Sequence, residues 1–236
     1  MIVTVASNKG GVGKTSLAIE IAYSMGSILV DLDWDYGSAT RACGVDPGGK
    51  RRSSLLDALA GEGRVPSTLR LQGRPELVPS HPLIVEIDAA ESAVAAKLRS
   101  WAHSWTRDLV IDTHPGAASL TYAAMAAADL VVVPVVLASR ELDALEGLLA
   151  EADEFRILLA PNRVAHWPDP AAINRLEELA TRHRVPVATG VSDYRWWPRR
   201  KRRTAVGAIR SPGEAIARAQ RELQALVEDV RKEMAA

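Results

Sequence analysis

The feature that most restricts this chain lies at residues 6–16, which read Ala-Ser-Asn-Lys-Gly-Gly-Val-Gly-Lys-Thr-Ser. A β-rich run, Ile-Val-Thr-Val-Ala-Ser, leads into it from position 2, and a helical pattern follows from about Lys14 to Met25. A strand, a glycine-rich loop and a helix in that order form a setting for phosphate binding. Backbone N–H groups of Gly10, Gly11, Val12 and Gly13, with the helix N-terminus, surround phosphate oxygens. Glycine matters here because a Cβ would keep the backbone from closing on the anion. Lys14 is placed to neutralise the outer phosphates, the Thr15 hydroxyl to ligate Mg²⁺, and Ser16 completes the binding set. Two departures stand out: Asn8 occupies the place of the ordinary loop's first glycine, and a second lysine, Lys9, precedes the others.

The rest of the chain suits a fold that carries such a loop. Apolar runs recur as ILVDLD, DLVIDT, DLVVVPVV and FRILLAP, with helical patterns between them. Continuous apolar runs separated by helices predict a mostly parallel sheet covered on both faces, an α/β, doubly wound architecture. No Gly-, Ser- or Pro-rich linker and no internal repeat divides the 236 residues, so one P-loop domain over 1–236 is expected. A C-terminal helix over about 212–234 carries Ile216, Ala219, Leu223, Leu226, Val227 and Val230 on one stripe, suited to lying against the sheet.

Lys and Arg together number 29, as do Asp and Glu, so any attraction to a polyanion has to come from local clustering. Such a cluster lies within about 193–210, where Arg195, Arg199, Arg200, Lys201, Arg202 and Arg203 crowd together without an intervening acid. Lys50, Arg51 and Arg52 are a weaker, solvated group in a turn-rich loop. The single cysteine, Cys43, excludes an intrachain disulfide and a cysteine-only metal cage. Residues 130–138, the most apolar stretch, are too few to span a bilayer and include a proline. With no basic leader at the start, a cytoplasmic location is expected.

Residues 9–15, Lys-Gly-Gly-Val-Gly-Lys-Thr, resemble the deviant Walker A motif of the ParA/MinD family of P-loop ATPases at every defining position. The resemblance accounts for the second lysine. In that family the residue matching Lys9 reaches across a dimer interface to the partner's nucleotide, while Lys14 serves its own. Two ATP-loaded faces repel, and a lysine from each side converts that repulsion into charge-assisted hydrogen bonding. An ATP-dependent homodimer is implied, with Lys9, Lys14 and Asp33 as the catalytic set.

Two further segments extend the likeness. LVDLDWDYGSAT resembles the family's D-x-D-P-Q-G-x-A-T, where Asp31 matches the first aspartate and Asp33 the second, which positions the attacking water and the Mg²⁺ shell. Here WDY stands in place of PQ, one residue longer, and Asp35 reads as a solvated turn residue. LVIDTHPG resembles the Walker B segment, usually D-T-P-P, so Asp112 joins Thr15 and Asp33 in holding Mg²⁺, and His114 is a tolerated substitution for proline. LLAPNRV resembles the strand end where Asn162 contacts the adenine edge. The matches run over roughly residues 1–190.

Some members of the family are excluded by the residues. One cysteine does not supply the ligands of the shared Fe–S cluster in the iron-protein reductases. The length leaves no room for the helical insertions of the arsenite and tail-anchored-protein ATPases. The C-terminal helix mixes acids and bases and lacks an aromatic anchor, which argues against MinD-type membrane attachment. The chain is then similar to short, Soj-like ParA proteins, and with a strand starting at position 2 no helix-turn-helix for operator reading is expected. That resemblance implies ATP and Mg²⁺ as cofactors, slow hydrolysis, nonspecific double-stranded DNA bound by the basic residues of the dimer, and nucleoid association. It also implies a ParB-like centromere-binding partner that stimulates hydrolysis. Trp196 and Trp197 are expected to pack the base of the basic segment, since duplex DNA hides its base faces. Three alternatives stay open: positioning of a protein cargo, a metabolic ATP-dependent ligase of the biotin or cobalamin type, and a structural protein that binds ATP and barely turns it over.

Overall fold

Runs of Ile, Val and Leu without polar alternation form strands buried on both faces. The computed structural model describes residues 1–35, 38–47, 54–61, 63–116, 118–197, 199 and 204–236. Among these, seven strands form one parallel sheet: β1 (Ile2–Val5), β2 (Ile28–Asp31), β3 (Glu76–Val78), β4 (Leu109–Asp112), β5 (Leu130–Val135), β6 (Ile157–Val164) and β7 (Val191–Ser192). Their spatial order is β3-β2-β4-β1-β5-β6-β7, and each neighbouring pair is parallel. The helices are α1 (Lys14–Met25), α2 (Ala39–Ala42), α3 (Ser54–Ala60), α4 (Glu91–Trp105), α5 (Ser119–Ala127), α6 (Ser139–Glu151), α7 (Pro170–His183) and α8 (Glu214–Ala235). This is the α/β, doubly wound architecture expected from the sequence.

Successive strand residues point to opposite faces, and the core divides accordingly. Val3, Val5 and Val110 pack with Leu17 of α1 and Leu223 and Val227 of α8 on one face. Ile2, Leu109 and Ile111 pack with Leu98 and Trp101 of α4 and Ala123 of α5 on the other. A third cluster joins Val131, Val133 and Leu159 to α6 and α7. The predicted bounds of α1 are met, and Gly26 ends the helix in the left-handed conformation at φ 67°. The C-terminal helix runs over Glu214–Ala235 and buries Ala219, Leu223, Leu226, Val227 and Val230 of the stripe read from the sequence, while Ile216 is partly buried. Among the described residues, no helix is long and apolar enough to cross a membrane.

The topology decides where a ligand can sit. The chain passes from β1 to β2 on one side and later crosses to β5 on the other, so the order reverses at β1. A crevice opens beyond the carboxyl ends of the strands at such a switch point. The glycine loop follows β1 there, Asp31 ends β2, Asp112 ends β4 and Asn162 lies near the end of β6.

A candidate nucleotide site at the carboxyl edge of the sheet

The loop after β1 is held from below by residues far away in sequence. Gly13, the residue before α1, has φ 99°, a conformation that side chains other than hydrogen rarely adopt. A Cβ at Gly13 would also collide with Nδ2 of Asn162. That buried carboxamide donates to the carbonyl of Val12 at 2.8 Å. Arg163 adds a second tie, its guanidinium donating to the Gly11 carbonyl at 3.1 Å. Arg163 adopts φ 55° where the pairing of β6 with β7 shifts register.

The two lysines of the loop occupy different environments. Lys14 is 6% exposed, and its ammonium donates to the Lys9 carbonyl at 3.3 Å. Burial pushes its pKa down, while the carboxylates of Asp112 and Asp33 push it up. Lys9 is exposed, and its N–H donates to the Ser7 hydroxyl at 3.2 Å.

Asp33 and Asp112 act on this ammonium, and Asp31 stands beside Asp112 at the strand ends. Asp31 and Asp112 are register partners of β2 and β4 and are fully buried. Asp31 accepts from the Thr40 N–H at 2.6 Å, the Thr40 hydroxyl at 2.5 Å and the Asp33 N–H at 3.0 Å. Even so, burial raises its pKa to about 7. Burial also holds Asp112 well above the usual carboxylate range, and the charges of Asp31 and Asp33 add to that. The Thr15 hydroxyl and Lys14 act in the opposite direction, yet neither oxygen of Asp112 has a hydrogen-bond partner of ordinary geometry. Asp33 is raised by burial too, against the Asp35 N–H, His114 and Lys14. A buried carboxylate whose oxygens have no well-formed hydrogen bond, beside Thr15 and Asp33, is a donor set that fits a hard divalent cation such as Mg²⁺.

A cavity of about 420 Å³ spans the site. Gly10, Gly11, Gly13, Lys14, Thr15 and Ser16 of the glycine loop line it, with Asp33, Asp35 and Pro115. Asn162, Arg163, Ser192, Asp193, Tyr194 and Trp197 complete the lining. The volume falls in the range of small-molecule sites. Sequence reasoning assigned Asn162 to the adenine edge; it lines this cavity, with its N–H group spent on the loop. Val12 and Asp112 are buried and do not line this cavity, and the Val12 carbonyl is held by Asn162.

Arg163, Asp193, Tyr194 and Trp197 were not foreseen as site residues, because strand pairing and the return of the chain after β7 bring them there. The loops after β2 and β4 also meet unexpectedly. Asp35 is exposed, as a solvated turn residue is, but its Oδ2 lies 3.1 Å from His114 Nε2. His114 in turn stacks on Trp34, with ring centroids 3.9 Å apart and planes within 4°.

The basic segment starts at the cavity wall. Trp197 is buried against Tyr194 and Trp196 and joins the core, with Trp196 packed on it, which is the packing role expected of the two tryptophans. Arg195 and Arg199 are exposed. Arg200, Lys201, Arg202 and Arg203 lie outside the described residues, as do Lys50, Arg51 and Arg52. Beyond the run, the buried Glu20 carboxylate of α1 accepts from the Val206 N–H at 2.8 Å, tying the chain back to the nucleotide-site helix.

Comparison with known proteins agrees with this geometry. Residues 1–162 match the family described as AAA domain. The chromosome-partitioning ATPase Soj of Thermus thermophilus is 35% identical over 173 residues, covering 67% of this chain and 64% of Soj. The chain thus spans a little under two thirds of that curated relative. Apo McdA of Cyanothece superposes with TM-score 0.76 at 17% identity, covering 99% of this chain and 98% of McdA. A plasmid partition protein of Borrelia burgdorferi bound to AMPPNP gives TM-score 0.75 at 19% identity, covering 98% of each chain. At these identities the structural likeness speaks for the fold. With the glycine loop, its two lysines and the buried strand-end acids in place, the chain belongs to the ParA/MinD family of P-loop ATPases, within the AAA domain family.

Proposed function

We propose that the chain, acting as one P-loop domain, is a Mg²⁺-dependent ATPase that works as a dimerising switch in DNA segregation. The observation that carries this reading is the division between the two lysines: Lys14 buried near the carboxylates of Asp33 and Asp112, Lys9 exposed in the same loop. In this reading Gly10, Gly11, Val12, Gly13, Lys14, Thr15 and Ser16 bind the phosphates. Thr15, Asp33 and Asp112 would hold Mg²⁺, which when bound neutralises charge between the outer phosphates. Asp33 orients the attacking water, and Lys9 reaches the nucleotide of a second copy. The Asn162 N–H is engaged by Val12, so its carboxamide oxygen is the group proposed to take the amino group of adenine. The dimer presents Arg195, Arg199 and the following basic residues to nonspecific double-stranded DNA in the nucleoid, and a ParB-like partner stimulates hydrolysis.

The test is retention on nonspecific DNA with ATP, ADP or no nucleotide, at two salt concentrations. Contact with about 6–10 phosphates should weaken binding roughly 10³–10⁵-fold between 50 and 200 mM salt, and only with ATP. Retention indifferent to nucleotide and salt would overturn the DNA reading. Turnover accelerated by a carboxylic-acid metabolite and untouched by DNA would favour a ligase.

A further inference from the structure

The two places where this chain departs from the family's loop sequences touch each other. Trp34 and His114 form a flat stack, and His114 Nε2 lies 3.1 Å from Asp35 Oδ2. The Asp35 N–H donates to Asp33 Oδ1 at 3.0 Å, which closes a turn around the site carboxylate. On the other side, the Thr121 hydroxyl of α5 donates to the His114 carbonyl at 3.1 Å and anchors that loop. The loop after β2 is thereby clipped to the loop after β4, directly beside the cavity that Asp33 and Asp35 line.

The clip has a chemical consequence for Asp33. One of its oxygens is committed to the Asp35 N–H, in a turn whose third member is held by His114. A carboxylate that must accept from water offers less when a lone pair is spent in its own loop. We propose that Trp34, Asp35 and His114 form a latch that keeps one oxygen of Asp33 engaged in its own loop, so that ATP turnover is restrained until the latch opens. Trp34 and His114 are positioning residues in this scheme, since they act through Asp35 upon Asp33. The inference rests on the ATPase reading above and names its regulation. Stimulation by a partner then consists of separating the two loops.

Steady-state ATP hydrolysis and fluorescent-nucleotide affinity of Trp34→Ala, His114→Ala and Trp34→Phe test the latch. Both alanine variants should raise kcat roughly 3–10-fold, the range set by losing an aromatic pair of ordinary strength, with KM unchanged. Trp34→Phe, which keeps a ring on the imidazole, should stay near the wild type. Tryptophan emission should change on His114→Ala, and that change should vanish when Trp34→Phe is also present. If Trp34→Ala fails to fold, His114→Ala decides alone, with circular dichroism and thermal melting as the check. Unchanged or lowered kcat in folded His114→Ala, or an emission change independent of Trp34, overturns the latch alone. Wild-type protein that binds nucleotide and hydrolyses none overturns the ATPase reading, and the latch with it.

Discussion

Asn162 donates its side-chain N–H to the carbonyl of Val12 at 2.8 Å, joining the end of β6 to the glycine loop across 150 positions. The same nitrogen occupies the space where Gly13 lacks a side chain. Gly13→Ala should therefore destabilise the protein by about 1–3 kcal/mol from backbone strain, with the steric conflict added. Urea denaturation measures the loss, and nucleotide binding should fall with it. Asn162→Ala removes the obstructing group, so Gly13→Ala with Asn162→Ala should cost less than the two single changes summed. Strict additivity would show that the carboxamide does not govern this position.

Lys9→Ala should leave nucleotide affinity within a few-fold of the wild type, because the buried Lys14 serves the chain's own site. The ATP-dependent dimer should disappear in sedimentation velocity. Lys14→Ala should abolish nucleotide binding itself. An undiminished dimer in the Lys9 variant would remove its bridging role.

The strand-end acids predict an unusual pH dependence. Asp31 titrates near 7 in the folded protein, against about 3.9 for an unfolded aspartate. A raised carboxyl favours folding most when protonated, so its contribution is full below about pH 4 and is lost as pH rises toward 7. Asp112, raised in the same direction, adds to the trend. Unfolding free energy measured by urea should fall between about pH 5 and 7.5, and less steeply in Asp31→Asn. A bound cation favours the ionised acids, so Mg²⁺ with nucleotide should flatten the curve.

Arg195 and Arg199 are exposed on either side of Trp196 and Trp197. Reversing both to glutamate should weaken DNA retention and reduce the salt slope by about 0.9 for each phosphate no longer neutralised. Basal ATP turnover without DNA should hold. Equal retention in the variant would move the DNA surface elsewhere.

The parts legible in the sequence are those whose physics is local. A strand, a glycine loop and a helix are contiguous, so their order could be read from residues 2–25, and β1 and α1 flank the loop as expected. The apolar runs likewise announce a parallel sheet, because a strand buried on both faces cannot alternate. Strand ends are local too, which is why Asp31, Asp33 and Asp112 were found before their burial was known.

Other features are products of strand order. Arg163 reaches the glycine loop only because β6 lies beside β5, which lies beside β1, and because the backbone turns left-handed at a shift in register. Trp197 reads as half of an aromatic pair, and only the return of the chain after β7 sets it in the cavity wall. Asp35 and His114, 79 positions apart, look like a turn acid and a loop substitution when taken singly. From its residues alone the chain determined which groups stand at the ends of its strands. Which of them touch was decided by the folding of the sheet, because contact between distant side chains depends on the order and register in which strands pair.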